Sequence, residues 1–325
     1  MDRQFFKLSL CFLVLLLIVT GGCKKERTED VANAKPTIEK KLNVVATISM
    51  ITDIVNNVGG DRIDVTGIIG EGIDPHLYKP TARDTKRLTE ADIIFYNGLH
   101  LEVRITGTVF DKMKDKTKTV AVTDGIDRSR LRIASEFMGG YDPHAWHDVS
   151  LWMKATERVR DTLAHTDPIN AEYYHANAKN YLAMLQTLHE DMQKLAAQIP
   201  AKRRVLVTTH DAFGYLGKAY GFEVRGLLGI NTEDEAGIAD VRDLAAFIIE
   251  YRIPTMFVDT SSPRRGIMSV QAAVRANGYN VKIGGGLFAD AMGTPGTPEG
   301  TYIGMMRYNI DTIVNSLQTE LAYQE

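Results

Sequence analysis

Two copies of an Asp-Pro-His triplet are the residues in this sequence whose types and spacing best suit chemistry. One copy ends in His76 and the other in His144. In each copy the proline fixes the backbone just before the histidine, and the aspartate can accept a hydrogen bond from a loop amide or an imidazole N–H. One such triplet would be an ordinary capped turn, since Asp and Pro are common turn residues. Two copies in one half of the chain favour a pair of aimed imidazole ligands.

Two further candidate ligands lie in the other half of the chain. His210 directly follows a short β-like run, and Asp290 follows three consecutive glycines at 284–286. Three imidazoles and one carboxylate suit a first-row divalent metal and already complete four coordination positions, whereas a catalytic zinc usually keeps one position for water. We therefore predict a binding site and no enzyme activity. The expected metal ligands are His76, His144, His210 and Asp290.

The remaining histidines fit this pattern poorly. His147 lies three residues after His144, but it falls in the turn before a helix that Asp148 can cap, so we do not expect it to coordinate metal. His100, His175 and His189 are expected on solvated surfaces, and His165 in the last turn of a helix, where a histidine suits the helix dipole.

Sequence motifs of other functions are incomplete. His189 and Glu190 open the His-Glu-x-x-His motif of zinc proteases, but Gln193 occupies the position of the second histidine. Neither Gly-x-x-x-x-Gly-Lys-Ser/Thr nor Gly-x-Gly-x-x-Gly occurs anywhere in the chain, so nucleotide binding has no support. A formal net charge of -3 gives no long-range attraction for nucleic acid, which we exclude as a partner.

The elements that must position the candidate ligands follow a β-α-β rhythm, which predicts mostly parallel sheets covered by helices. Ligands in such sheets gather at the carboxyl ends of the strands, where the candidate ligands fall. The pattern stops and restarts at Pro200, so we expect one sheet in each half. The expected strands are 42–48, 63–69, 91–96 and 119–122 in the first half, and 204–208, 223–228, 255–259 and 280–283 in the second.

A long helix is predicted between the two halves. Asp167 can act as its N-cap, Pro168 suits the first helical position, and neither Gly nor Pro recurs until Pro200. At about 1.5 Å per residue this helix would be roughly 45 Å long, more than a small domain spans. We therefore predict an α/β protein of two lobes bridged by one long backbone helix. Its apolar stripe comprises Tyr174, Ala178, Tyr181, Leu185, Leu188, Met192, Leu195 and Ile199.

The N-terminus has the pattern of an export signal. Arg3 and Lys7 precede an apolar run at 8–19 that is shorter than the ~20 residues of a membrane span. The segment 20–23 resembles a bacterial lipoprotein cleavage site, with Thr20 where Leu is usual, and we expect lipid on Cys23. A plain secretory signal is the alternative. The expected organisation is a signal peptide at 1–22, a lipidated flexible tether at 23–41, a first lobe at 42–166, a linking helix at 167–200 and a second lobe at 201–325.

These motifs, taken in order, resemble the metal-binding solute receptors of ABC transporters, and most closely the TroA-like group. Gly-Ile-Asn-Thr-Glu at 229–233 and Gly-Thr-Pro-Glu-Gly-Thr-Tyr at 296–302 add to the resemblance, which covers essentially the whole mature chain. In that family one long helix bridges two α/β lobes, and the metal lies between them. The resemblance therefore implies a helical-backbone metal receptor whose ligands match the four positions predicted above.

The resemblance also implies cargo and partners. A monomeric, lipid-anchored receptor would capture a divalent ion outside the cytoplasmic membrane and deliver it to a membrane permease driven by a separate ATPase. Manganese relatives often carry Glu where this chain has His210, and zinc-dedicated relatives often carry a loop crowded with His and acidic residues, which this chain lacks. Intrinsic affinity favours zinc at a three-nitrogen site. Zinc and manganese both stay open as cargo, with iron third.

Two functions from other classes compete with this interpretation. The same histidines could serve a secreted zinc hydrolase with an open coordination position, or a surface protein of the cell adhesion family whose metal is only structural. For the receptor, the uninterrupted linking helix offers no hinge, so we expect only a small lobe rotation on metal loss. We expect change to concentrate in the ligand loops, especially around Asp290.

Overall fold

The computed structural model of this protein describes residues 40–113, 118–134 and 140–322. From Lys41 onward the described residues form one compact unit. The predicted signal peptide and the predicted lipid attachment site, Cys23, lie outside the described residues. Among the residues that are described, no helix is both long enough and apolar enough to cross a membrane.

The first lobe is built on a parallel sheet of four strands in the order β2-β1-β3-β4. The central strand β1 pairs with a neighbour on each side, so that Val44 lies opposite both Val65 and Ile93. In the two central strands the successive residues Val44 and Val45, and Ile93 and Ile94, are all buried, so both faces of the sheet are covered, as a parallel sheet requires. The strands are β1 Leu42–Ala46, β2 Ile63–Gly67, β3 Ile93–Tyr96 and β4 Lys118–Ala121, followed by a short antiparallel pair, β5 Ile133–Ala134 and β6 Gly140–Tyr141.

The helices of the first lobe begin with strong local signals. Thr81 accepts a hydrogen bond from the Asp84 amide, and the Asp84 carboxylate accepts one from the Thr81 amide, a capping box that starts α2. Asp148 caps α5 by accepting a hydrogen bond from the Ser150 amide, as the sequence predicts. The helices are α1 Ser49–Gly59, α2 Ala82–Glu90, α3 Val103–Ile105, α4 Asp111–Met113 and α5 Val149–Thr166.

The second lobe repeats the β-α-β pattern with two pairs of parallel strands. Strand β7 pairs with β8 and β9 with β10. The two pairs lie side by side through β7 and β9. Between these strands the Asp259 amide donates a hydrogen bond to Thr209 Oγ1 at 3.0 Å. The elements are β7 Val205–His210, α7 Gly214–Tyr220, β8 Glu223–Leu228, α8 Ile238–Glu250, β9 Thr255–Asp259, α9 Arg265–Ala276, β10 Lys282–Leu287 and α10 Tyr302–Ala322.

The glycine triplet at 284–286 corrects one expectation. The sequence pattern predicts a strand that ends before the glycines, yet all three lie inside β10. The pairing of β10 with β9 shifts register between Ile283 and Gly286, which is a bulge. A Cβ on Gly284 would lie 2.5 Å from Thr255 Cγ2 of the neighbouring strand. Glycine therefore allows the two strands to approach closely, and the ligand loop starts after Leu287.

The linking helix is the predicted one, with a different beginning. A 3₁₀ turn at Pro168–Asn170 precedes α6, which spans Ala171–Ala197. Asp167 makes no capping hydrogen bond to the backbone, because its carboxylate accepts instead from the Tyr174 hydroxyl at 2.7 Å and from the Asn170 amide group at 2.8 Å. The predicted apolar stripe is buried along its length, apart from the partly exposed Leu195.

The core of the protein runs through α6. One continuous cluster of buried side chains extends from the first sheet, across α6, to α10 of the second lobe, and a second cluster fills the space around β9 between α8 and α9. Helix α6 packs against α5 and α1 of the first lobe and against α10 of the second. These contacts confirm the predicted α/β architecture with a long central helix. The lobe boundaries at 166/167 and 200/201 stay a prediction.

Candidate metal centre

Four buried side chains meet between the two lobes, and they are the four residues that the sequence predicts. His144 Nε2 lies 3.2 Å from His76 Nε2 and 3.3 Å from one oxygen of Asp290. The other oxygen of Asp290 lies 3.3 Å from His210 Nε2 and 3.9 Å from His76 Nε2. The four candidate ligand atoms all lie within 4.8 Å of one another. None of the four side chains is more than 3% exposed.

The two Asp-Pro-His turns hold their histidines in related but unequal ways. In both, the aspartate accepts a hydrogen bond from the histidine's backbone amide, at 2.8 Å from Asp74 to His76 and 2.9 Å from Asp142 to His144. Only Asp142 also reaches the imidazole, with its Oδ1 2.8 Å from His144 Nδ1. Such a carboxylate–imidazole contact orients the ring and selects which nitrogen faces the site. The ring of His144 is therefore more tightly oriented than that of His76.

The two candidate ligands of the second lobe lie at or just after strand ends. His210 is the last residue of β7, and its Nδ1 lies 2.9 Å from Oδ2 of Asp259, the last residue of β9. Asp290 follows β10 by three residues. The carboxyl ends of the parallel strands thus supply this half of the cluster, as expected for ligand sites in such sheets. Asp259 was not among the predicted site residues, because nothing in the sequence near His210 identifies it.

Several atoms at the centre of the cluster lack partners. Among the described residues, both carboxylate oxygens of Asp290 and Nε2 of His210 are buried without a hydrogen bond. A buried polar atom without a hydrogen-bond partner destabilises the folded protein unless another group or an ion interacts with it. A tetrahedral ion with ligand distances near 2.0–2.1 Å separates its ligand atoms by about 3.3 Å. Three of the spacings here match that figure, so the cluster could hold one divalent cation with four protein ligands.

The charges in the metal-free cluster are arranged around Asp290. Burial alone would raise the pKa of Asp290, but His210 and His144 hold it well below its usual range. Burial alone would lower the pKa of His144, yet Asp142 and Asp290 raise it to about 9. Burial lowers the pKa of His76 to about 3. A cation that enters the cluster would thus meet a neutral His76 imidazole and would displace a proton from His144, since metal ligands must be unprotonated.

Contacts between the lobes surround this cluster. The Thr232 hydroxyl donates to Asp74 Oδ2 at 2.6 Å, and Arg104 Nη2 lies 2.9 Å from Glu233 Oε1. Thr232 and Glu233 belong to the segment 229–233 on which the resemblance partly depends. The first contact joins the loop that carries His76 to the second lobe, and the second contact joins Arg104 of α3 to the same segment of the second lobe. Sequence patterns could not have paired them, because the partners of the Thr232 bond are 158 residues apart.

His147 lies outside the four-residue cluster but is not a surface residue. It lies in the predicted turn before α5, and the prediction that it does not coordinate metal stays untested. It is fully buried in a 3₁₀ turn, its Nε2 lies 3.0 Å from the Ala289 carbonyl oxygen, and its ring centroid lies 4.5 Å from that of Phe213. Its spacing from His144 was the only sequence signal.

The other histidines follow the sequence predictions with one exception. His100 and His175 are exposed, and so is His165 in the last turn of α5. His189 is partly buried, because its Nδ1 lies 3.1 Å from the Tyr220 hydroxyl of α7. None of the four approaches the candidate metal centre, and no other described group of three or more His, Cys, Asp or Glu side chains could hold a metal ion.

Two α/β lobes joined by a long helix, with a closed and buried three-histidine, one-aspartate cluster between them, define a two-lobed receptor. Comparison with known proteins narrows this class to a family. The model of the family described as zinc-uptake complex component A, periplasmic, matches residues 44–316. The chain therefore belongs to that family. Its members are metal-binding transport receptors and not enzymes, so the hydrolase and adhesin alternatives gain no support.

Individual relatives agree with this assignment. The zinc-binding protein TroA of Treponema pallidum (strain Nichols) is 42% identical over 310 residues, which cover 95% of this chain and 98% of that protein. The manganese-binding lipoprotein MntA of Bacillus subtilis (strain 168) is 41% identical over 286 residues, which cover 88% and 93%. The solved structure of periplasmic zinc-binding TroA from Treponema pallidum superposes with a TM-score of 0.83 at 44% identity, covering 86% of this chain and 99% of that one.

Proposed function

We propose that this protein captures zinc or manganese outside the cytoplasmic membrane and delivers the ion to the permease of an ABC transporter with a separate ATPase. The proposed ligands are His76, His144, His210 and Asp290. The observation that supports them most directly is the set of buried, unpartnered atoms around Asp290, spaced as the ligands of one small cation would be. Four protein ligands fill the coordination positions, which suits binding and release of cargo rather than catalysis.

The choice of cargo stays between zinc and manganese, with iron third. Relatives of each kind match the chain at nearly the same identity, 42% for a zinc-binding protein and 41% for a manganese-binding one. Three nitrogen ligands favour zinc over manganese in intrinsic affinity, but the metal available to the cell also decides which ion is carried.

Lipid on Cys23 is part of the proposal, because a receptor held at the membrane surface stays near its permease. One acyl chain binds a membrane only weakly, so stable anchoring needs more than one. The mass of the N-terminal peptide from membrane-extracted protein tests this directly. An unmodified Cys23, or an N-terminus that begins at another residue, would contradict the anchor without touching the metal site. The division into a tether at 23–41 and two lobes joined at 167–200 belongs to the same proposal.

The central test measures metal content and metal-dependent stability together. Protein purified from its native envelope should carry about one ion per chain, and an ion at about 1,000 times its dissociation constant should add roughly 4 kcal/mol to the free energy of unfolding. Replacing Asp290 with alanine should abolish both effects. His189→Ala, a change at a partly buried histidine that is not part of the cluster, is the matched control. A metal-bound Asp290→Ala protein, or no stabilisation of the wild type by zinc or manganese, would contradict the proposal.

A further inference from the structure

We propose that Trp146 and His147 are positioning residues that hold Asp290 in place for the metal, an inference that rests on the proposed function. Neither side chain touches the cluster of candidate ligand atoms through a hydrogen bond. Both instead donate to the backbone carbonyl oxygen of Ala289, the residue just before Asp290. Trp146 Nε1 lies 2.8 Å from that oxygen and His147 Nε2 lies 3.0 Å from it.

The two donors are themselves firmly held. Both side chains are completely buried. The Tyr302 hydroxyl donates to the Trp146 backbone carbonyl at 2.6 Å, and the His147 ring packs on Phe213. Because a carbonyl oxygen only accepts hydrogen bonds, His147 must carry its proton on Nε2. Two buried donors thus occupy one carbonyl oxygen, which leaves the Ala289–Asp290 peptide little freedom to rotate.

Backbone anchors on either side complete the arrangement. The Asn309 side chain pairs with both backbone groups of Phe288, accepting from its amide at 2.9 Å and donating to its carbonyl at 2.8 Å. The Met292 amide donates to Ser49 Oγ of the first lobe at 3.0 Å. The backbone is therefore held by hydrogen bonds at residues 288, 289 and 292. The Asp290 carboxylate takes no part in these bonds, and its two oxygens stay free for a cation.

This arrangement links two proposed ligands that lie in different lobes. Trp146 and His147 follow His144 by two and three residues in one 3₁₀ turn, so the turn that presents His144 also fixes the backbone of Asp290. Preorganised ligands need no rearrangement when the ion binds, which raises affinity. This proposal therefore differs from our expectation, which stays untested, that change on metal loss concentrates around Asp290. That loop should keep its position for as long as the lobes stay together.

Two buried tryptophans provide a matched pair of variants. Trp146→Phe removes the indole donor, while Trp152→Phe removes an indole N–H that has no partner among the described residues. The two rings lie 6.4 Å apart and both are fully buried, so the packing changes are similar. Competition with a chromophoric chelator would give the zinc and manganese dissociation constants. We expect Trp146→Phe to weaken binding by about 10- to 100-fold, as loss of a supporting residue typically does. Trp152→Phe should bind nearly as tightly as the wild type.

A double-mutant cycle distinguishes the positioning of Asp290 by Trp146 from a purely structural role of Trp146. In an Asp290→Asn background, Trp146→Phe should cause little further loss of affinity, because the residue acts only through Asp290. Additive losses would overturn the proposal, and so would equal affinities of the two tryptophan variants. A wild type that binds neither metal would instead overturn the proposed function, and this inference with it.

Variants of His147 test the same proposal independently, which keeps it testable if the Trp146→Phe protein folds poorly. His147→Gln retains an N–H that can donate to the Ala289 carbonyl, whereas His147→Phe retains the ring without a donor. We expect the glutamine variant to bind within a few-fold of the wild type and the phenylalanine variant to lose about tenfold or more. Equal affinities for these two variants would show that the hydrogen bond does not position Asp290.

Discussion

Replacing Thr232 with valine removes the hydroxyl that joins the second lobe to the loop carrying His76. This hydroxyl donates to one oxygen of the Asp74 carboxylate at 2.6 Å, and the other oxygen of Asp74 accepts from the His76 backbone amide at 2.8 Å. The carboxylate therefore connects a residue of one lobe to a proposed ligand in the other. Without the hydroxyl, the His76 loop should separate from the second lobe more readily and the metal should leave faster.

The expected size follows from the environment of this bond. A hydrogen bond to a charged group contributes about 1.5–3 kcal/mol, and leaving the group buried without a partner adds to the loss. Both Asp74 and Thr232 are only partly buried, so water can replace the lost donor. The lower limit of about 1.5 kcal/mol is therefore appropriate, which corresponds to roughly a tenfold faster metal release.

Stopped-flow mixing of the metal-loaded protein with excess chelator measures this release rate. Thr232→Ser is the matched control, because it keeps the hydroxyl and should release metal at nearly the wild-type rate. Denaturant unfolding of the metal-free variants would show that the fold is intact. If Thr232→Val released metal no faster than Thr232→Ser, the hydroxyl would not hold the His76 loop, and this reasoning would be refuted.

Three further predictions concern stability. Burial raises the pKa of Asp53, so the native protein binds this proton more tightly than the unfolded chain, and stability falls as the pH rises from the ordinary value of 3.8 through the raised pKa. Asp53→Asn should remove that dependence, at most about 1.4 kcal/mol per pH unit, in urea titrations at several pH values. Gly214→Ala places a methyl group against Arg132 and should displace it from the buried Asp142 carboxylate, which costs about 1–3 kcal/mol in denaturant unfolding. Chelation should leave the far-ultraviolet circular dichroism unchanged, since the apolar core around α6 contains none of the four proposed ligands.

Each of these predictions has a distinct contrary result. An unchanged pH profile for Asp53→Asn would mean that the carboxylate, which accepts a hydrogen bond from the Tyr181 hydroxyl at 2.6 Å, titrates in the native protein as it does in the unfolded chain. An undiminished free energy of unfolding for Gly214→Ala would mean that Arg132 finds an equivalent partner elsewhere. Loss of helix signal on chelation, with recovery only when metal returns, would indicate a structural ion rather than cargo.

Local patterns in the sequence carried much of the fold and of the candidate site. The alternating spacings of four and three along α6 predicted a buried stripe, because a helix places such residues on one face whatever surrounds it. The paired Asp-Pro-His triplets predicted His76 and His144 because proline and aspartate restrict a loop within three residues. His210 and Asp290 were predictable from their positions after β-like runs, since the carboxyl ends of parallel strands converge.

Tertiary structure alone decided how these residues are supported. Trp146 and His147 meet a carbonyl oxygen that is 143 and 142 residues away, and Thr232 meets a carboxylate 158 residues away. No local spacing encodes such pairs, because they arise only when sheets from distant parts of the sequence pack together around the central helix. The same holds for Gly284 inside β10, whose need for close approach comes from Thr255 of the neighbouring strand. The sequence by itself determined which residues could bind a metal, and the packing of the two lobes decided which others hold them in place.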